Sequence, residues 1–382
     1  MQGHLQQQFL DVSLETMNIS TTGWIFGTYG FFLYFCGAQI GPIFDAHDIK
    51  LLVVAGSIGI VASTICLSLS TDIYPFDSVN TPSEWLTCPP DFYHFLQYQP
   101  SATGFDRRRS LATGICLTSG GLGGIFFALI ILYAAPSIGF PGAMRIIGLI
   151  SAVSGALACL LLKKRLPHNK AKGGAIDLKA LGDLKFTVVT LAVFILELSL
   201  IIPYTYISSD GIAQGMSSQS AYMLNAVLNV AAIPGRALPG YFADRFGVFN
   251  VMIITTLAST VFILGLWLPI GDGNEAAIAV FAALFGFWSG AAIALVPVCT
   301  GRVCETEDYR KRQGTSFFIA SFGNLIGAPI AGAILQRGGG DYRGLIVLVG
   351  VTHGIATGVF VWARKLVMVY RPGSEGQLPW EK

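Results

Sequence analysis

The chain has 382 residues, of which 53% are hydrophobic and only 12% charged. Soluble domains carry about a quarter charged residues, so an ordinary water-soluble fold is excluded. The 45 glycines follow no G-X-Y period, which excludes collagen, and a formal net charge of +2 leaves no footprint for nucleic acid.

The first twenty residues are polar and hold no Lys or Arg, so no cleavable leader is expected there. They contain one glycosylation sequon, Asn18-Ile-Ser20. A hydrocarbon layer about 30 Å thick needs roughly 20 apolar residues in helical form, because no backbone group can go unpaired in lipid. Ten stretches qualify: 24–43, 51–69, 111–134, 143–162, 186–207, 221–243, 251–270, 276–298, 315–336 and 344–366. The polar stretch 163–185 divides them into four before and six after. Cys36, Cys66, Cys88, Cys116, Cys159, Cys299 and Cys304 form no CxxC pair and no metal spacing, and they read as small core residues without a disulfide framework.

Basic residues orient the spans. If the central stretch, rich in lysine from Lys163 to Lys185, faces the cytoplasm, every Lys and Arg of the 24 falls on that side except Arg145, Arg236, Arg337 and Arg343. This places Asn18 outside. The same reckoning requires residues 71–106 to cross the membrane, although they carry Pro75, Pro82, Pro89, Pro90 and Pro100 and no adequate apolar run.

An internal repeat accounts for the mismatch. Gly41-Pro-Ile-Phe-Asp45 returns as Gly240-Tyr-Phe-Ala-Asp244, and Arg109 precedes Gly120 and Gly124 at the intervals by which Arg312 precedes Gly323 and Gly327. Parallel half-repeats of six helices are one architecture of secondary transporters. On this repeat, 276–298 corresponds to the broken stretch near 75–97, and 186–207 corresponds to a helix that would precede Met1.

Gly240-x-x-x-Asp244-Arg245-x-Gly247 resembles the major facilitator motif between two helices. The run Pro234–Met252, with Gly323-x-x-x-Gly-Ala-Pro-Ile-Ala-Gly332, resembles the fungal monocarboxylate-porter-like branch. The resemblance covers about residues 20–70 and 104–370. It implies an all-α integral membrane protein of the major facilitator fold, with two six-helix half-repeats, the first helix missing and the fourth disrupted. The expected division is an incomplete bundle over 1–162, a cytoplasmic loop over 163–185, a six-helix bundle over 186–370 and a cytoplasmic tail over 371–382.

Arg236 is the sharpest individual signal. An arginine within a span implies a substrate or ion path, because its burial must be offset by a partner or a wet cavity; the alternative is a side chain reaching back to the inner rim. The resemblance implies anion binding at this arginine, with a proton-coupling aspartate one turn earlier, where this chain has Ala232. Asn225 and Asn229 share the helical face of Arg236, as a polar stripe into a cavity or as glue between helices. Glu197 sits at mid-span, the costliest depth for a charge, and reads as a neutral hydrogen-bonding acid or as a proton carrier that replaces the missing aspartate. An Arg236–Glu197 pair is compatible with two sequential antiparallel helices. Tyr204 and Tyr206 read as aromatic-belt anchors or a gate, with Trp288 and Asn324 as further cavity candidates and His353 as an interhelical hydrogen-bonder. Gly240, Asp244, Arg245 and Gly247 form an expected hinge and clasp, of which the earlier copy keeps Gly41 and Asp45.

No Walker loop, Ser-His-Asp set, catalytic carboxylate pair or metal cluster can be assembled, so neither catalytic residues nor a metal or cofactor are expected. The sequence points to a multi-pass protein of the cell membrane that moves a small organic molecule, a monocarboxylate-like anion or a secondary metabolite, by alternating access. Its partners are that substrate, the lipid bilayer and, if coupled, protons. A non-transporting family member or a membrane ligand sensor remains the alternative.

Overall fold

A computed structural model describes residues 24, 27, 28, 30–36, 49–69, 109–161, 176–270, 274–304 and 308–369, all helical apart from short connections. The expectations for Asn18, Gly41, Asp45, Cys88 and residues 71–106 fall outside these residues. A helical segment at 30–36 precedes α1 (Ile49–Leu69) and α2 (Arg109–Leu161). A 3-10 turn at Leu178–Gly182 leads into α3 (Leu184–Ala213) and α4 (Ser218–Phe246). Then come α5 (Val248–Phe262), which continues as a π-helical turn over Ile263–Trp267, α6 (Glu275–Arg302), α7 (Tyr309–Arg337) and α8 (Arg343–Val369).

The helix starts are written in short polar side chains. Asp183 accepts from the Lys185 amide at 3.1 Å, Ser217 from Ser220 at 3.1 Å and Asn274 from Ala277 at 3.1 Å, each satisfying an orphan donor of the first turn. At the other end of α4, Gly247 takes φ +91°, a conformation that lets the chain turn at once into α5.

Six of the described helical stretches are long and apolar enough to cross a bilayer: Pro141–Leu160, Leu184–Ala213, Val248–Trp267, Glu275–Arg302, Lys311–Arg337 and Arg343–Met368. The other expected stretches within the described residues, 51–69, 111–134 and 221–243, are helical as well. The stretch 221–243 is helical throughout, and Asn225, Asn229 and Arg236 make it more polar than its neighbours. Stretches 111–134 and 143–162 are two helices within α2, separated where Gly139 leaves helical geometry (φ 77°, ψ 161°). The expected stretch 51–69 lies within the unbroken apolar helix α1.

Helices α3 to α8 share one core, in which α4 lies along α6, and α3 along α7 and α8. Its largest side chains stack in a column: Trp267 on Phe281 at 4.8 Å, Phe281 on Phe285 at 5.6 Å, and Phe285 edge-on to Tyr204 at 6.1 Å between ring centres. Gly323 and Gly327 of α7 rest on the backbone of Phe194 and Leu198 in α3, as expected of packing glycines. The N-terminal helices meet this bundle along two seams. Helix α2 lies against α4, and segment 30–36 lies against α7, with Phe31 on Phe322 at 5.4 Å, Tyr34 on Phe317 at 5.1 Å and Phe35 on Phe318 at 5.7 Å.

The reading of all seven cysteines as unpaired core residues is corrected at Cys36, which is disulfide-bonded. A disulfide needs two sulfurs close in space, which sequence spacing alone does not reveal. Cys66, Cys159, Cys299 and Cys304 are free thiols.

Candidate functional site

Helix α3 carries Glu197 to mid-depth, 4% exposed, and turns it toward the contact with segment 30–36. The Tyr34 hydroxyl donates to Glu197 Oε1 at 2.8 Å across a sequence separation of 163 residues. Asn324 of α7, 2% exposed, turns its side-chain amide to the same carboxyl. Gly30 lets the backbone of the N-terminal segment close on this asparagine, since a Cβ at that position would stand 3.0 Å from Asn324 Cβ. One carboxyl, one phenol and one amide from three separate elements thus converge where the N-terminal helices meet the bundle.

Arg236 lies on the other seam. Its Nη1 donates to the backbone carbonyl of Leu117 in α2 at 2.8 Å, while its Nε is buried without a partner. The side chain therefore spans from α4 to α2 instead of reaching back to the rim. The Arg236–Glu197 pair that the sequence allows is not seen among the described residues: the carboxyl points to Tyr34 and the guanidinium to Leu117. Tyr204 lies within electrostatic reach of both groups, and its hydroxyl is 3.0 Å from Ser289 Oγ.

Asn225 and Asn229 share a face of α4 with Arg236, half-buried. Asn225 Nδ2 donates to Ser208 Oγ on α3 at 3.0 Å, which fits interhelical glue; Asn229 Nδ2 donates to the Asn225 carbonyl at 2.8 Å, within its own helix. The aromatic-belt reading of Tyr204 and Tyr206 is corrected, since both turn inward and Tyr206 donates to the Ala328 carbonyl at 3.1 Å. Trp288 is half-buried and edge-on to Phe287. His353 is fully buried, with its ring toward the Val349 backbone of its own helix and edge-on to Phe285 at 6.2 Å, so no interhelical hydrogen bond is seen for it among the described residues.

At the end bearing the basic residues, Asp244 reaches across the α2–α4 seam. Its two carboxylate oxygens accept from the Ser110 and Leu111 amides, each at 3.0 Å, capping the exposed donors and positive dipole end of α2. The approach is close. A Cβ on Gly240 would stand 2.6 Å from the Ser110 carbonyl oxygen, and one on Gly114 would overlap the Arg236 carbonyl oxygen. Arg245 is exposed and makes no ion pair among the described residues, where the clasp is made by Asp244. On α7 the ion pairs Lys311–Asp177 at 3.3 Å and Arg312–Asp183 at 3.1 Å tie the connection before α3 to the same end of the bundle.

Sequence reasoning missed Tyr34 as a site residue, although Gly27, Gly30 and Tyr34 recur at helical spacing as one stripe. It also missed Asp210, which is 1% exposed and accepts from Trp267 Nε1 at 2.7 Å and from Gln214 Nε2 at 3.0 Å. The π-helical turn at Ile263–Trp267 forms the end of α5 that carries this indole.

The Major Facilitator Superfamily family model matches residues 186–382. A riboflavin transporter of Saccharomyces cerevisiae is 31% identical over 95% of this chain and 74% of its own length. The chain belongs to the major facilitator superfamily. An aspyridones efflux protein of Emericella nidulans is 31% identical over 88% of this chain and 68% of its own length. The fold agrees with that of the fucose:proton symporter of E. coli, at a TM-score of 0.68 and 14% identity, over 94% of this chain and 93% of that one. As a member of this superfamily, the chain is a multi-pass integral membrane protein and a secondary transporter, not an enzyme.

Proposed function

We propose that this transporter moves a small organic anion, monocarboxylate-like or a secondary metabolite, across the cell membrane by alternating access. Two bundles, 1–162 and 186–370, rock about a site between them, joined by the loop 163–185. The observation that carries the reading is the Glu197 carboxyl, buried at mid-span and hydrogen-bonded to Tyr34 across the contact between N-terminal and C-terminal helices. A group so placed can exchange a proton only when the contact opens, which is how proton binding is tied to a conformational step. Arg236 is the anion anchor, since its unfilled Nε and planar fork suit a carboxylate once the Leu117 contact is released. Asn225 and Asn229 hold the face of α4 on which it stands. Names among the relatives point to two chemistries, riboflavin and an exported metabolite, and both are compatible with a polar site in an aromatic surround.

The test is flux through the purified full chain in liposomes, using radiolabelled lactate, benzoate and riboflavin. At least one of them exchanges across the membrane, and an inward proton gradient drives its accumulation. Glu197→Gln retains exchange and loses accumulation, whereas Arg236→Gln lowers both for the acids at least tenfold. Binding of these compounds with no flux would mark a ligand sensor and end the transport reading for them.

A further inference from the structure

We infer that Asp183, Gln313, Ser316 and Thr190 line the route by which Glu197 exchanges its proton with the cytoplasm. The inference rests on the transport reading above and adds a side and a path to the proton step.

Helix α3 supplies the first part of the path. Asp183, Thr190, Glu197 and Tyr204 recur every seven residues, so they share one face of the helix at steps of about 10 Å. Asp183 caps α3 at the end that bears the basic residues. There it lines a cavity of about 390 Å³ together with Lys185, Arg302, Asp308 and Arg312. Walls that carry charges of both signs are costly to dry, so this cavity holds water, and its two carboxylates can take up and release protons.

Helix α7 supplies the second part. It runs beside α3 in a constant register: Arg312 meets Asp183 across 129 residues, and Gly323 on Phe194 and Gly327 on Leu198 keep the same offset. In this register Gln313 stands beside the first turn of α3 and Ser316 beside Thr187, both between the cavity and Thr190. They fall on the side of α7 that carries Gly323, Asn324 and Gly327 to α3.

These groups are buried and unsatisfied. Gln313 and Thr190 are each 2% exposed and Ser316 is fully buried. Among the described residues, both amide atoms of Gln313 and the hydroxyls of Ser316 and Thr190 meet no hydrogen-bond partner. Native structures keep few such groups, and apolar side chains would pack the same contact at no such cost. Three of them in file, from a wet cavity toward a buried carboxyl, are satisfied together once water enters the contact. For two turns toward the outer end the polar groups are instead paired, Tyr204 with Ser289 and Tyr206 with the Ala328 carbonyl. The unsatisfied file therefore gives the route its side. Phe186 and Val193, apolar and fully buried on the same face of α3, interrupt it in this conformation. A proton passes only when the contact loosens.

The experiment is hydrogen–deuterium exchange at the Glu197 carboxyl, followed by infrared spectroscopy of the full chain in nanodiscs after a switch from H2O to D2O. Glu197→Gln identifies the band by deleting it. Thr190→Val and Gln313→Leu each slow the exchange about tenfold, the scale of one lost hydrogen-bonded link, and either suffices if the other folds poorly. Their thermal midpoints stay at or above the wild-type value, because replacing an unpaired buried polar group with an apolar one of like size loses no bond. The side is read in vesicles: Thr190→Cys reacts with a charged thiol reagent faster in inside-out than in right-side-out membranes, and Val189→Cys, in the dry core, reacts in neither. Wild-type exchange in both variants, with or without a lower midpoint, overturns the inference and leaves Glu197 standing as a proton carrier. Faster labelling of Thr190→Cys from the exterior, or none from either side, overturns it as well. A Glu197 band that appears at no pH, or never exchanges, overturns the inference and the proton-carrier reading together. Slowed exchange without flux of lactate, benzoate or riboflavin supports the route and removes only those substrates.

Discussion

The two seams between N-terminal helices and the bundle are built from different materials. Between α2 and α4 the contact is backbone on backbone: glycines at 114 and 240 admit carbonyl oxygens that no Cβ would tolerate, and Asp244 binds main-chain amides. Between segment 30–36 and α7 the contact is made of side chains, three aromatic pairs and a polar group of Tyr34, Glu197 and Asn324. Main-chain contacts at close range have one geometry and stop abruptly when it is lost. Side-chain contacts can re-form with a ligand in place of a partner. The difference suggests that the first seam sets where the halves close and the second what they close upon.

The largest effect that would break this comparison is overpacking of the backbone seam. Gly114→Val forces the new side chain onto the Arg236 carbonyl, where helix backbone cannot yield cheaply, so about 1–3 kcal/mol or more is lost. The expected outcome is a lower thermal midpoint and a poor yield of monodisperse protein in detergent, read by fluorescence-detected chromatography. The equivalent enlargement at Gly358 of α8, where a Cβ meets nothing within 4 Å, should be tolerated. A wild-type midpoint for Gly114→Val would show that the α2–α4 seam is not closely packed.

Next in size is Asp244→Ala. Two amides of the first turn of α2 lose a charged acceptor, each such cap being worth about 1 kcal/mol, with a further contribution from the helix dipole. Because this contact holds the basic end together, the variant should spend more time open there, raising the labelling rate of a cysteine introduced at Ser110. An unchanged rate would move the closure point elsewhere. Arg245→Ala, exposed and unpaired among the described residues, should change neither stability nor labelling.

How much of this was legible in the sequence depends on whether the signal was local. Asp244 and Gly247 were readable because a helix stop, a turn and an acid at a helix end are decided within a few residues. Glu197 was readable because a lone carboxyl in an apolar run is costly wherever it points. Its partners were not: Tyr34 and Asn324 come from helices far apart in sequence, and hydropathy says nothing about which faces meet. Whether Arg236 and Glu197 pair was open for the same reason, since sequential antiparallel helices can be neighbours while their charged residues turn to different seams. Asp210 was overlooked because it lies just beyond the apolar run 186–207, which the structure extends to Ala213, and a π turn leaves no periodicity that a span of this length reveals.

The smallest effect offers the sharpest discrimination between the seams. Tyr34→Phe removes one hydroxyl and keeps the ring against Phe317, so packing on α7 survives. Hydrogen bonds between membrane helices are worth on average only about 0.6 kcal/mol in double-mutant cycles, because the separated helices find other partners. The single variant alone would therefore be uninformative, and Tyr34 has further neighbours whose loss would be folded into its value. The cycle of Tyr34→Phe, Glu197→Gln and both together isolates the pair. If the 2.8 Å contact is a working link, the two changes are subadditive by about 0.5–1 kcal/mol in unfolding free energy. The same cycle run with Asp244→Ala in place of Glu197→Gln should be additive, because that group lies on the other seam. Additivity in the first cycle would reduce the Tyr34–Glu197 contact to proximity, and coupling in the second would mean that the two seams act as one.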